Sequence, residues 1–206
     1  KDNSANDKIM TEPVLLFLDI NGVIDVEKNP KTRGEKLPNE SSLVYPVPGA
    51  KEFLKVIDSC TWIRPVWISS WGNQSKTWNK WSRTRSWSVA YPLSRNETSK
   101  ALNLFPGEDE NSKYLAARWH SRNWLHRVVW IEDGFWFMQP AINWAKSNSQ
   151  IQLIDTSPIP KERPKDFESG IGKWNIHQLC DALNIGQERE VILNKIGVTN
   201  INKSKI

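Results

Sequence analysis

The chain has 206 residues, 38% of them hydrophobic, and a formal net charge of +5 with an isoelectric point near 9.2. That length suits one domain with a packed core, and the basic balance favours anionic partners. The longest apolar stretch, Val14 to Leu18, falls far short of the ~20 residues a membrane helix needs, and no basic-then-apolar signal region opens the chain.

Residues Lys1 to Glu12 are polar and are expected to fray. Val14 to Leu18 is a continuous apolar run bounded by turn residues, the pattern of a strand buried on both faces. Asp25 to Ser42 is charged and rich in Pro and Gly, hence a loop. Gly49-Ala50 precedes a helix in which Phe53, Leu54, Val56 and Ile57 share a face. Pro65 to Ile68 is a second strand, ending at Ser69-Ser70-Trp71-Gly72. Asn73 to Asn111 has no clear period beyond a short helix around Lys76 to Trp81, and reads as a Trp-rich, basic insertion or cap-like segment. Tyr114 to Trp119 is helical, and Arg127 to Ile131 is a third strand running into Glu132-Asp133-Gly134. Pro140 to Lys146 fits a short helix with Pro in its first turn. Ile151 to Ile154 is a fourth strand ending at Asp155-Thr156, and two closing helices follow at Trp174 to Leu183 and Glu188 to Ile196.

Strands alternating with helices predict an α/β domain, a parallel sheet with helices on both faces. In such sheets ligands gather beyond the carboxyl ends of the strands. Here those ends deliver Asp19, Ser69 and Ser70, Glu132 and Asp133, and Asp155. Cys60 and Cys180 lack CxxC spacing, which favours two reduced thiols in a cytoplasmic protein over one disulfide. His120, His126 and His177 have neither metal-ligand spacing nor a nearby nucleophile and read as surface or packing residues.

"FLDINGV", "VWISS", Lys113 and "VVWIED", in that order, resemble the four motifs of the haloacid dehalogenase superfamily of Mg-dependent phosphohydrolases. The resemblance covers most of the chain. "VWISSW", "VWIED" and "LIDTSP" are similar to small, lightly capped members, some associated with nucleic-acid repair proteins. The resemblance implies a Rossmann-like fold and assigns roles residue by residue. Asp19 would be the nucleophile and a Mg2+ ligand, joined by the backbone carbonyl of Asn21 and by Asp133. Mg2+ suits such a set of hard oxygen ligands. Ser69, with Ser70 as the fallback, would hydrogen-bond a phosphoryl oxygen. Lys113 would neutralise charge on Asp19 and the phosphate, and Glu132 would hold Lys113 or a metal-bound water.

In the resembled phosphatases an acid two positions after the nucleophile protonates the leaving group and then activates water. Asn21 occupies that position and titrates nowhere near neutral pH, so the expected site binds Mg2+ and phosphate but turns over poorly. Three explanations stand: a substitution introduced to trap substrate, which the start at Lys1 rather than Met would fit, a natural loss of activity, or another group supplying the proton. A catalytically weak phosphate- or nucleic-acid-binding module is the alternative reading. True dehalogenase chemistry also tolerates a non-acid there but needs no metal, so Glu132 and Asp133 argue against it.

Twelve Trp against three Tyr and six Phe is more than core packing usually requires. "SKTWNKWSRTRSWS", Ser75 to Ser88, interleaves Lys76, Lys80, Arg83 and Arg85 with Trp78, Trp81 and Trp87. Indoles can stack on bases while basic groups meet phosphates, which makes a nucleotide or nucleic-acid end an attractive substrate. Candidate substrate contacts are therefore Gly22, Trp71, Lys76, Trp78, Arg83 and Arg85. The competing reading packs Trp78 and Trp81, three residues apart, onto the sheet with the basic residues as a solvated face. Phe135-Trp136-Phe137 reads as a packed cluster, close enough to Asp133 to form a pocket wall.

Overall fold

Val14–Leu18 forms β1, whose five side chains are all buried because it lies at the centre of a sheet covered on both faces. The computed structural model describes residues 11–26, 33–157, 170–171 and 173–186, the side chains of 173–175 excepted. Most of the stretch expected to fray, and the expected helix from Glu188 to Ile196, lie outside the described residues.

A small antiparallel hairpin, β2 (Glu35–Lys36) and β3 (Leu43–Val44), interrupts the expected loop after β1. Next come α1 (Ala50–Ser59), β4 (Ile63–Trp67), a 3-10 turn (Gly72–Ser75), α2 (Lys76–Ser82) and β5 (Ser88–Val89). The chain continues through α3 (Arg95–Leu104), α4 (Lys113–Ser121), β6 (Arg127–Glu132), a second 3-10 turn (Phe135–Phe137), α5 (Gln139–Ser147), β7 (Ile151–Asp155) and α6 (Lys173–Ala182).

The main sheet runs β5-β4-β1-β6-β7, with every neighbouring pair parallel. This is a Rossmann-like α/β architecture. Strand alternation divides the core into two layers. Val14, Leu16 and Leu18 pack with α1, Trp78 of α2 and Ile176 and Leu179 of α6. Leu15 and Phe17 face the other way, with Val128, Trp130, Tyr114 and Ala117 of α4, and Ala141 of α5.

Pro65 sits inside β4, where a proline removes a ladder donor. Ile68 N–H donates to Leu18 O and Trp67 O accepts from Ala90, so the even-numbered N–H groups of β4 address β1 and the odd positions address β5. Since β5 pairs only with Val66 and Trp67, Pro65 lacks its donor where no partner strand has yet begun.

The segment from Asn73 to Asn111 is built into this body rather than standing as a cap. It supplies α2, the edge strand β5 and α3. The last of these departs from the expected lack of a helix there, because Arg95–Leu104 buries only Ala101 and so carries almost no apolar period. Its start was nevertheless written in the chain: Ser94 Oγ accepts from Glu97 N–H while the Glu97 carboxylate accepts from Ser94 N–H, a reciprocal capping box.

Candidate functional site

The order of the sheet reverses at β1: β4 and β5 extend it one way, β6 and β7 the other. Loops leaving adjacent strands in opposite directions open a crevice at their carboxyl ends. Asp19 follows β1 there, and Glu132 closes β6. Leu18 pairs with Ile131, and Asp19 N–H donates to Ile131 O at 3.1 Å, so the next two residues, Asp19 and Glu132, stand side by side. Alternation fixes their direction as well. Asp19 continues the face of Leu15 and Phe17, and Glu132 that of Val128 and Trp130, which is the face covered by α4.

Lys113 opens α4 and reaches down between the two acids, 2.9 Å from Asp19 Oδ2 and 2.8 Å from Glu132 Oε2. Burial alone would depress this lysine, but the Asp19 and Glu132 carboxylates outweigh it and hold the ammonium above its ordinary value. Glu132 is almost wholly buried and lies beside Asp19, and its carboxyl is pushed up to about 10, burial being the largest cause and the Asp19 charge the next. Its other oxygen accepts from Asp133 N–H at 3.3 Å, so both oxygens of Glu132 are engaged. Asp19 Oδ1, by contrast, is buried without a hydrogen-bond partner. Orphaned buried carboxylate oxygens are uncommon because desolvation goes uncompensated.

Asp133 completes the group. One carboxylate oxygen from each of Asp19, Glu132 and Asp133 lies within 4.8 Å of the others, close enough to hold a single cation. Partial burial raises the Asp133 carboxyl above the usual carboxylate range. Three carboxyl groups therefore converge beside one ammonium inside a largely buried crevice.

The turn after β1 makes room for this arrangement. Val23, Ile24 and Asp25 all donate backbone N–H groups to Ile20 O, curling the chain back under Asp19. Gly22 has φ +71°, and a Cβ there would overlap the Asp133 carboxylate. Thr156, just past β7, donates its hydroxyl to Gly22 O at 2.9 Å and pins the same turn; sequence reading missed it because nothing in its local spacing points to a residue 134 positions away. Gly22→Ala is expected to lower stability by at least ~1–2 kcal/mol, the strain of a left-handed L-residue, plus the displacement of Asp133. Denaturant titration measures it, and an unchanged midpoint would remove this role for Gly22.

Asn21 is exposed, and its side-chain carbonyl accepts from Trp71 Nε1 at 3.0 Å. Ser69 is fully buried at the end of β4, whereas Ser70 is exposed. Lys76 is exposed at the start of α2, a few residues beyond Trp71.

Two expected substrate contacts, Trp78 and Arg85, are corrected by their surroundings. Trp78 has no exposed surface and lies edge-on between Trp71 and Trp81, so its indole packs the core and stacks on no ligand. Arg83 is exposed and caps the end of α2 in a left-handed conformation. Arg85 is paired with Asp58 near the end of α1, which leads into the amino end of β4, so it belongs to the opposite edge of the sheet. Trp87 is buried too, donating to Asp58. Asp155 turns away into its own loop, accepting from Ser157 N–H. The aromatic cluster after Asp133 is only partly packed: Phe135 is buried, but Trp136 and Phe137 are exposed.

Among the described residues no helix is long and apolar enough to cross a membrane. Comparison with protein-family models, with curated proteins and with solved structures returns no match.

Proposed function

We propose that the chain is a Mg2+-dependent phosphohydrolase of the haloacid dehalogenase type, acting on a phosphomonoester through an aspartyl-phosphate. The observation that carries this reading is the meeting of Asp19, Glu132, Asp133 and Lys113 at the reversal of the sheet, with Asp19 Oδ1 buried and unpartnered. An oxygen-only donor set of this kind fits a hard divalent cation. Asp19, Asp133 and the Asn21 carbonyl would hold it, and a bound Mg2+ would supply the positive charge that lets a carboxylate approach a phosphate.

The remaining chemistry belongs to the chain. The Asp19 carboxylate attacks phosphorus, the ester P–O bond breaks, and the alcohol departs with the bonding pair. Lys113, fixed by Asp19 and Glu132, faces the charge that develops on the phosphoryl oxygens. Ser70, the exposed fallback beyond the fully buried Ser69, donates to one of those oxygens. Water then releases phosphate from Asp19. Asn21 cannot deliver the proton that the departing alcohol needs, and this slows turnover.

The test is calorimetric. Mg2+ should bind the chain and release protons at neutral pH, because a cation beside Asp19 lowers a Glu132 carboxyl that burial and the Asp19 charge raise. The sign for stability follows. The folded carboxyl titrates near 10 and the unfolded one at 4.5, so its stabilising contribution is complete below 4.5 and is lost as pH rises toward 10. Inorganic phosphate should then bind only with Mg2+ present, and Asp133→Asn should abolish both. Failure of Mg2+ to bind would end this reading.

A second reading is favoured by the bond from Trp71 to Asn21, which fixes an amide beside the acids. On that reading the chain recognises a phosphate group and does not hydrolyse it.

A further inference from the structure

The phosphate chemistry leaves unused the two aromatic side chains at the rim of the site. Trp136 is 71% exposed and Phe137 65%, while Phe135 beside them packs edge-on against Trp130. Contiguous exposed apolar surface, which an adjacent pair of large aromatics provides, often marks a binding site. Their placement is fixed by the backbone. The Phe137 ring lies over Gly134 where a Cβ would collide with it, and Phe137 N–H donates to Gly134 O. The Trp136 and Phe137 rings stand perpendicular, with centroids 5.0 Å apart. A perpendicular pair uses one ring face only, so the other faces stay available for stacking. Three peptide units separate Trp136 from Asp133, a reach of at most about 11 Å. The exposed rings are thus tethered within a nucleoside's length of the acids that would hold the cation. Of the indoles nominated by sequence pattern, Trp78 and Trp87 are buried and Trp71 is half-buried with its Nε1 donating to Asn21, so among the described residues the pair after Asp133 presents the exposed rings at this edge.

We propose that Trp136, braced by Phe137, stacks on a planar ring carried by the phosphomonoester, so that the preferred substrates are nucleotide-like or aryl phosphates rather than small aliphatic ones. The inference rests on the phosphate-binding reading above and names the substrate class for that same site. Stacking on a π-face tolerates different rings, so preference among bases should be slight.

Equilibrium binding to the full chain with saturating Mg2+ tests it, using inorganic phosphate, glycerol phosphate, phenyl phosphate and a nucleoside monophosphate as probes. The nucleoside monophosphate should bind more tightly than glycerol phosphate. Trp136→Ala should weaken the nucleotide by about five- to 150-fold, the span of base–aromatic stacking in alanine substitution, while leaving inorganic phosphate unchanged. Trp136→Phe, which keeps a ring, should restore most of the difference. Tight phenyl phosphate would place the ring directly beside the ester; a preference for the nucleotide over it would show that a sugar-length spacer is needed. Equal affinity for nucleotide and glycerol phosphate, or a nucleotide affinity unmoved by Trp136→Ala, overturns the stacking role while inorganic phosphate binding keeps the function intact. Loss of binding by every phosphate, inorganic phosphate included, overturns both.

Discussion

Asn21→Asp should raise Mg2+-dependent hydrolysis of an aryl phosphate by ~100- to 10,000-fold, the usual worth of a general acid–base group. The geometry explains why one atom could matter so much. Residue 21 sits two positions beyond Asp19, outside the packed core, with its side-chain oxygen held by Trp71 Nε1. A carboxyl there can accept the same indole hydrogen bond with one oxygen and keep the other for the leaving group. The backbone of residue 21 is unchanged by the substitution, so its carbonyl remains as it was toward a cation. Rate should therefore rise with little change in Mg2+ affinity. The measurement is product release with and without Mg2+ in both forms. Activity confined to the substituted chain supports an impaired hydrolase. No activity in either form, with phosphate still bound, would instead favour the recognition module.

Much of this site could be read in the chain because strands encode direction. An apolar run that ends on an acid must deliver it to the carboxyl edge, and two such runs, Val14–Leu18 and Arg127–Glu132, become neighbours whose register aligns Asp19 with Glu132. What could not be read was which side chains a neighbour covers. The alternation of Trp with basic residues after Ser75 looks the same whether the indoles meet a ligand or the sheet. Only packing shows that Trp67 and Trp87 stack on each other, and that Asn79 bridges Trp67 to the backbone of Trp87. The abundance of tryptophan thus belongs largely to the core. Conversely, the run Phe135–Phe137 looks like core, yet a single 3-10 turn points one ring inward and two outward. A turn of three residues leaves no period to detect.

Lys113→Met, finally, separates electrostatic coupling from ordinary packing. Without Lys113, Asp19 and Glu132 face each other in a buried crevice with no cation between them. Breaking a buried pair from one side typically costs ~3–5 kcal/mol, and that loss is expected in chelator at neutral pH. A divalent ion should take over part of the neutralisation, so the loss should shrink in saturating Mg2+, and by linkage the substituted chain should bind Mg2+ more tightly. Catalysis should not recover in parallel, because the proposed mechanism also directs the ammonium at the phosphoryl oxygens. In the Asn21→Asp background, Lys113→Met should lower turnover by ~100- to 1,000-fold, the effect of deleting one preorganised donor. Denaturation with and without Mg2+, together with Mg2+ affinity, measures the coupling. A loss of stability identical in both conditions, with affinity unmoved, would mean that Lys113 and a divalent ion do not neutralise the same acids, and the assignment of the crevice as a metal-dependent phosphate site would fall with it.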